Sequence, residues 1–242
     1  MTELKRPGGE LASRPLHFFW LVDCSGSMNE EHGEKIGTLN HAIQSTIPDM
    51  AAAARENPNA QLLVRTLKFA TGASWVTPAP VPIEDFAWDD LTAGGVTDMG
   101  KAFEMVAAQL TIPPMSERAL PPVLVLISDG GPTDDYRRGL ETLLRLPWAK
   151  KAVRIAVSIG RDANDDVLAE FTGNRELVLQ ANNPQALVRC IKWASTAASA
   201  VSAPASKPKL AAPASGSTNA PLVLDMKSIP EPAGDVDAAD VW

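Results

Sequence analysis

The amino-acid sequence predicts an α/β fold: a doubly wound, mainly parallel central sheet with one antiparallel edge strand and helices on both faces. Three observations carry that expectation. Two apolar runs, Phe-Phe-Trp-Leu-Val from Phe18 and Val-Leu-Val-Leu-Ile from Val123, show no polar alternation. That suits strands covered on both sides, although periodicity alone leaves a buried helix open. Strand-like and helix-like patterns then alternate along the chain, as crossover connections require. Finally, 242 residues with 45% hydrophobic content can hold one sizeable core.

Each element has its own signal. Residues 1–15 are polar, with an early Pro-Gly-Gly, and read as a frayed lead-in. After the first strand, Ile36, Leu39, Ile43, Ile47 and Met50 recur at helical spacing, and Asn57-Pro58-Asn59 ends that helix. The helix starts close to the end of the first strand, where its free N–H groups favour carboxylates; Glu30, Glu31 and His32 read as solvated rim residues. Residues 61–70 read as a strand, Thr71-Gly72 as a turn and 74–77 as the antiparallel return strand, with Pro78, Pro80 and Pro82 expected to stop further pairing. Residues 83–91 read as one or two helical turns. Met99, Ala102, Phe103, Val106 and Leu110 mark the next helix, with Asp98 in its first turn and Pro113-Pro114 at its end. Pro121-Pro122 opens the second core strand, and Asp134 and Asp135 beyond it read as capping residues. A helix over 137–146, a strand over 153–159, a helix over 167–172, a strand over 176–180 and a final helix through Leu187, Ile191, Ala194, Ala198 and Val201 complete the pattern. Gly160-Arg161-Asp162 falls at the strand end where ligands collect in open α/β sheets.

These elements place one domain at 16–201. An Ala/Pro/Ser-rich linker follows at 202–221, and an acidic-apolar tail at 222–242. In the tail, Leu222, Val223, Leu224, Met226, Val241 and Trp242 read as docking residues for this domain or a partner, beside the acids Glu231, Asp235, Asp237 and Asp240. The formal charge of -7 argues against a nucleic-acid partner. Cys24 and Cys190 are too few for a disulfide framework or a zinc ribbon, and Cys24 reads as a buried filler. No run approaches 18 apolar residues and no secretory leader is visible, so a cytoplasmic protein without a membrane span is expected.

The first apolar run ends in Asp23-Cys-Ser25-Gly-Ser27. If the chain turns there, which Gly26 makes easy, one carboxylate and two hydroxyls converge. Hard oxygen donors of this kind select Mg2+ over zinc or copper, with Mn2+ or Ca2+ as alternatives. The other reading is local: Asp23 starts a turn, and Ser27 or Asn29 caps the following helix. Two later stretches favour the cation. Gly94-Gly95-Val96-Thr97-Asp98 sets a threonine at a glycine-rich turn before a helix, where it could also be an N-cap, and the second apolar run ends in Asp129-Gly130-Gly131.

This succession resembles the metal-ion-dependent adhesion site of von Willebrand factor A (VWA) domains. The resemblance implies a VWA/Rossmann-like fold and a ligand set of Asp23, Ser25, Ser27, Thr97 and Asp129, the aspartates acting directly or through water. In wording, Ser27-Met28, Gly33-Glu34-Lys35-Ile36-Gly37-Thr38-Leu39-Asn40, Gly-Gly-Val-Thr and Ile127-Ser-Asp-Gly-Gly-Pro-Thr-Asp-Asp135 resemble bacterial TerY-type proteins of tellurium resistance. That likeness spans about residues 16 to 200. It implies a serine/threonine kinase and a PPM-type phosphatase as partners in a stress-signalling set. The cysteine-rich C-terminal segment of some relatives has no counterpart here.

Three functions are consistent with such a site. In a binding or adaptor module, the ion completes its coordination with an Asp or Glu of a partner protein. In a Mg2+-dependent phosphoester hydrolase it acts as a Lewis acid, which needs a base that three scattered histidines do not supply. In the third, the ion only staples loops together. The expectation is the non-enzymatic binding module.

Overall fold

The first apolar run becomes the middle of the sheet. In the computed structural model, which describes residues 13–57, 59–160 and 163–202, strand β1 covers Arg14–Asp23 and every residue from Leu16 onward is buried. It pairs in parallel with β2 (Ala60–Ala70) on one side and with β5 (Val123–Ser128) on the other. Beyond β5 lie β6 (Val153–Ile159) and β7 (Val178–Ala181), also parallel. The antiparallel edge is β3 (Gly72–Trp75), giving the order β3-β2-β1-β5-β6-β7.

Pairing continues past β3, which corrects the expectation for the prolines. A two-residue strand β4, Val81–Pro82, pairs antiparallel with Leu63 and Val64 of β2. Pro82 has no N–H to give, but the N–H of Ile83 reaches Leu62 O at 3.0 Å, so its neighbour carries the ladder.

Helices cover both faces, which is why the central strands have no polar alternation. On one face Phe18, Trp20 and Val22 pack with α1 (Glu30–Arg55) and α6 (Pro184–Ser202). On the other, Phe19 and Leu21 pack with α2 (Met99–Gln109), α3 (Tyr136–Leu144) and α5 (Asp165–Thr172). A further short helix, α4 (Pro147–Lys151), starts on Pro147 where one helix over 137–146 was expected to stop. Proline is favoured at a first helical position, so Pro147 ends one helix and opens another. The last strand starts later than expected because residues Arg175–Leu177 form a 3-10 turn.

Residues 83–91 are not helical. Ile83, Phe86, Trp88 and Leu91 are buried against the α1 face; residues 83–85 form a turn, and Asn40 of α1 anchors the far end of the segment. Its Oδ1 accepts from Trp88 Nε1 and the Leu91 N–H, and its Nδ2 donates to Leu91 O, all within 3.0 Å. Both backbone groups of Leu91 are thereby taken by a side chain rather than by a helical neighbour. Arg161, Asp162 and the tail lie outside the described residues, as does most of the expected linker. Among the described residues, no helix is long and apolar enough to cross a membrane.

Candidate metal centre

Register brings the two motif strands to one edge. Val22 of β1 is level with Ile127 of β5, so Asp23 and Ser128 emerge side by side at the carboxyl ends. Asp23 is fully buried; its Oδ1 accepts from the Ser25 N–H at 2.8 Å and its Oδ2 from Ser128 Oγ at 2.6 Å. Ser25 Oγ lies 3.0 Å from Ser27 Oγ, which donates to Asp129 Oδ1 at 2.6 Å. Asp23, Ser25, Ser27 and Asp129 thus share one short run of contacts. Burial first, and the nearby Asp129 charge last, raise the Asp23 pKa from 3.8 to about 6 against the pull of its hydrogen bonds.

Thr97 belongs to an adjoining loop. The N–H of Gly26 donates to Gly95 O at 3.0 Å and that of Gly94 to Cys24 O at 2.8 Å, so the glycine-rich loop is stitched directly onto the Asp23–Ser27 turn. Gly95 has φ +91°, which favours glycine, and a Cβ there would fall 2.4 Å from Thr71 Oγ1, so that hydroxyl would have to move. Thr97 is buried and exchanges two bonds with Thr133, through its N–H to Thr133 Oγ1 and its carbonyl from the Thr133 N–H, each 2.9 Å. Among the described residues, no hydrogen bond joins its hydroxyl to the other four candidates. The N-cap of α2 is Asp98, which displaces both the capping alternative for Thr97 and the expected place of Asp98 in the first turn. The Asp98 carboxylate turns instead to the β2–β3 corner, accepting from the Gly72 N–H at 2.7 Å.

The acids after β5 do cap helices, though Asp134 caps a neighbour. It accepts from the Gly100 and Lys101 N–H groups at the start of α2, while Asp135 accepts from Arg138 N in α3. The helices meet at glycines: a Cβ on Gly139 would lie 2.3 Å from Gly100 O.

Lys35 is the residue the sequence reading missed. Its Nζ lies 3.0 Å from Asp129 Oδ2, with side-chain exposures of 7% and 0% for the pair. A signal was present, since Lys35 stands four residues before Leu39 and seven before Ala42, on the buried stripe of α1. A lysine in such a stripe needs a partner.

Beside the centre is a recess of about 420 Å3 lined by Cys24, Lys68, Ser74, Thr92 and Gly94 among others. Burial pushes the Cys24 thiol up to about 12, so it stays protonated and inert. His17 is buried six residues back along β1, about 20 Å from Asp23, and His41 is on the surface of α1. The oxygen-only donor set fits a hard divalent cation. Among the described residues, no group of three His, Cys, Asp or Glu side chains offers a softer site.

No protein-family model and no curated protein matches the chain. Solved structures do. A von Willebrand factor type A protein from Catenulispora acidiphila superposes with a TM-score of 0.54 at 15% identity, over 77% of this chain and 43% of that one. The ArnB paralog VWA2 from Sulfolobus acidocaldarius gives 0.53 at 20% identity, over 73% and 44%. Proximal thread matrix protein 1 of the mussel byssus, with a zinc-occupied metal-ion-dependent adhesion motif, gives 0.58 at 14% identity, over 78% and 48%. The chain therefore matches less than half the length of each of these neighbours. The fold is that of a VWA domain.

Proposed function

We propose that this protein is a metal-dependent protein-binding module. Asp23, Ser25, Ser27, Thr97 and Asp129 hold a divalent cation, Mg2+ by donor chemistry, and an Asp or Glu of a partner protein completes the coordination. Zinc in the mussel neighbour supports a divalent ion in this fold; the carboxylate and hydroxyl donors here favour a harder one. The observation that carries the reading is the unbroken run of contacts from Ser25 through Ser27 to Asp129, next to the buried Asp23 carboxylate. Its likeness to TerY-type wording supports a cytoplasmic stress-signalling set with a serine/threonine kinase and a PPM-type phosphatase. The ion, when bound, supplies an electrophilic position for an outside oxygen. The chain's own groups fix its place and its charge.

Calorimetry on the full chain tests this. Thr97→Ala should weaken Mg2+ binding by at least the about tenfold that loss of even an indirect partner costs, with unchanged circular dichroism. EDTA should release any partner recovered from the native cells. Unaltered Mg2+ affinity would remove Thr97 from the site, and a complex indifferent to chelation would refute recognition through the ion.

A further inference from the structure

The proposed centre contains a cation of the protein's own. Burying an ammonium is costly unless it is paired, and α1 delivers Lys35 into the interior to meet one oxygen of Asp129 while Ser27 Oγ holds the other. Loop anchoring alone does not require a charge at that position, since Asp129 already has a hydroxyl donor. What the ammonium changes is the electrostatic potential felt by anything else bound by the same carboxylates.

We propose that Lys35 sets the charge of the ion centre, weakening its hold on the divalent cation and strengthening the pull of the loaded centre on an acidic group. This rests on the binding reading above. With Lys35 beside Asp129, each bound cation leaves the centre one unit more positive than the carboxylates alone would leave it. An incoming carboxylate is then attracted by that extra unit. Removing the lysine charge must therefore act in opposite directions on the two steps, whatever other charges surround the site. A side chain that merely braced the loop would weaken both.

Coulomb's law sets the scale. For an assumed separation of about 6 Å in the dielectric of bulk water, a unit charge changes the affinity of a divalent ion about tenfold and that of a singly charged group about threefold, and salt screening lowers both. Partial burial of the site raises both figures. The stem of Lys35 is packed in the core, so an apolar replacement of similar length keeps the shape.

Mn2+ serves as the probe, its free concentration read by electron paramagnetic resonance and acetate entry read by the loss of Mn2+-bound water in proton relaxation. Full-length Lys35→Met should bind Mn2+ about tenfold more tightly than wild type, and its loaded form should bind acetate about threefold more weakly. Lys35→Gln keeps a polar side chain on that stripe without the charge and should behave alike, which covers a Lys35→Met protein that fails to fold. Lys35→Arg, with the charge kept, should stay near wild type in both steps. Folded Lys35→Gln that binds Mn2+ no more tightly, or loses affinity in both steps, overturns the charge-setting role alone. Wild-type protein that takes up no Mn2+ overturns the ion centre itself, and this inference with it.

Discussion

Asp23→Asn should make the metal-free domain more stable while ending its ability to bind a cation. In the folded chain the Asp23 pKa is raised from 3.8 to about 6, chiefly because burial penalises its charge. At neutral pH the folded state therefore holds an ionised carboxylate that prefers a proton. The gap between 3.8 and about 6 corresponds, at about 1.4 kcal/mol per pH unit, to about 3 kcal/mol of lost stability. Because an acid with a raised folded pKa is costly only when ionised, the penalty is complete above pH 6 and absent below 3.8. Asparagine fits the same bonds. Its Oδ1 can accept from the Ser25 N–H, and its Nδ2 can donate to Ser128 Oγ, whose own hydrogen then turns to Gly130 O at 3.3 Å. Urea titrations in EDTA at pH 8 should show Asp23→Asn more stable by about 1–3 kcal/mol, with the gain fading as pH falls towards 4. Adding Mg2+ should then stabilise wild type but not the variant. A variant no more stable than wild type in EDTA would refute the electrostatic reasoning, and one that still gains stability from Mg2+ would refute the ligand role.

Acid should act in the opposite sense through His17, whose pKa is lowered from 6.5 to about 4 by burial and then by the Arg65 charge. The unfolded chain takes up that proton first, so about 3 kcal/mol of stability drains away as pH falls from 6.5 to 4. In EDTA the Asp23 effect offsets this loss, and His17→Gln should expose it: urea titrations should show the variant gaining on wild type across that window. Glycine-to-alanine changes should differ in sign with position. Gly139→Ala puts a methyl 2.3 Å from Gly100 O and should cost about 2 kcal/mol or more despite better helix propensity, whereas Gly37→Ala in α1 meets nothing within 4 Å and should gain about 0.5–1 kcal/mol; thermal melts distinguish the two.

The parts of the fold that were legible in the sequence are those set by local pattern. Doubly buried strands leave unbroken apolar runs, and the amphipathic period of α1 and α2 needs no tertiary information. The juxtaposition of Asp23, Ser25 and Ser27 with Asp129 was legible because these residues follow two strands that the sequence marks as buried. What escaped was fixed at long range. Residues 83–91, acidic and aromatic, read as one or two helical turns, but their far end is anchored at Trp88 and Leu91 by the amide of Asn40, more than forty residues earlier. Pro82 looks like a terminator until its neighbour is seen to carry the ladder. Lys35 can be placed on the buried stripe of α1 by its spacing, but only the fold shows that the stripe leads to Asp129.

The seam between α2 and α3 has a mechanical consequence. Thr97 is bolted to Thr133 by two bonds, Asp134 is fastened to the first turn of α2, and the helix backbones touch at Gly100 and Gly139 with no side chain between them to act as a bearing. Displacing the loop that bears Thr97 therefore strains these bonds and loads both helices together. That body is joined to α5 through the core, where Phe103 stacks on Phe171 at 5.4 Å, and at the surface by the exposed grip of Tyr136 and Arg137 on Glu170, of which the solvent-screened contact is the weaker. A displacement of Thr97 would meet the resistance of that core before it reached the surface.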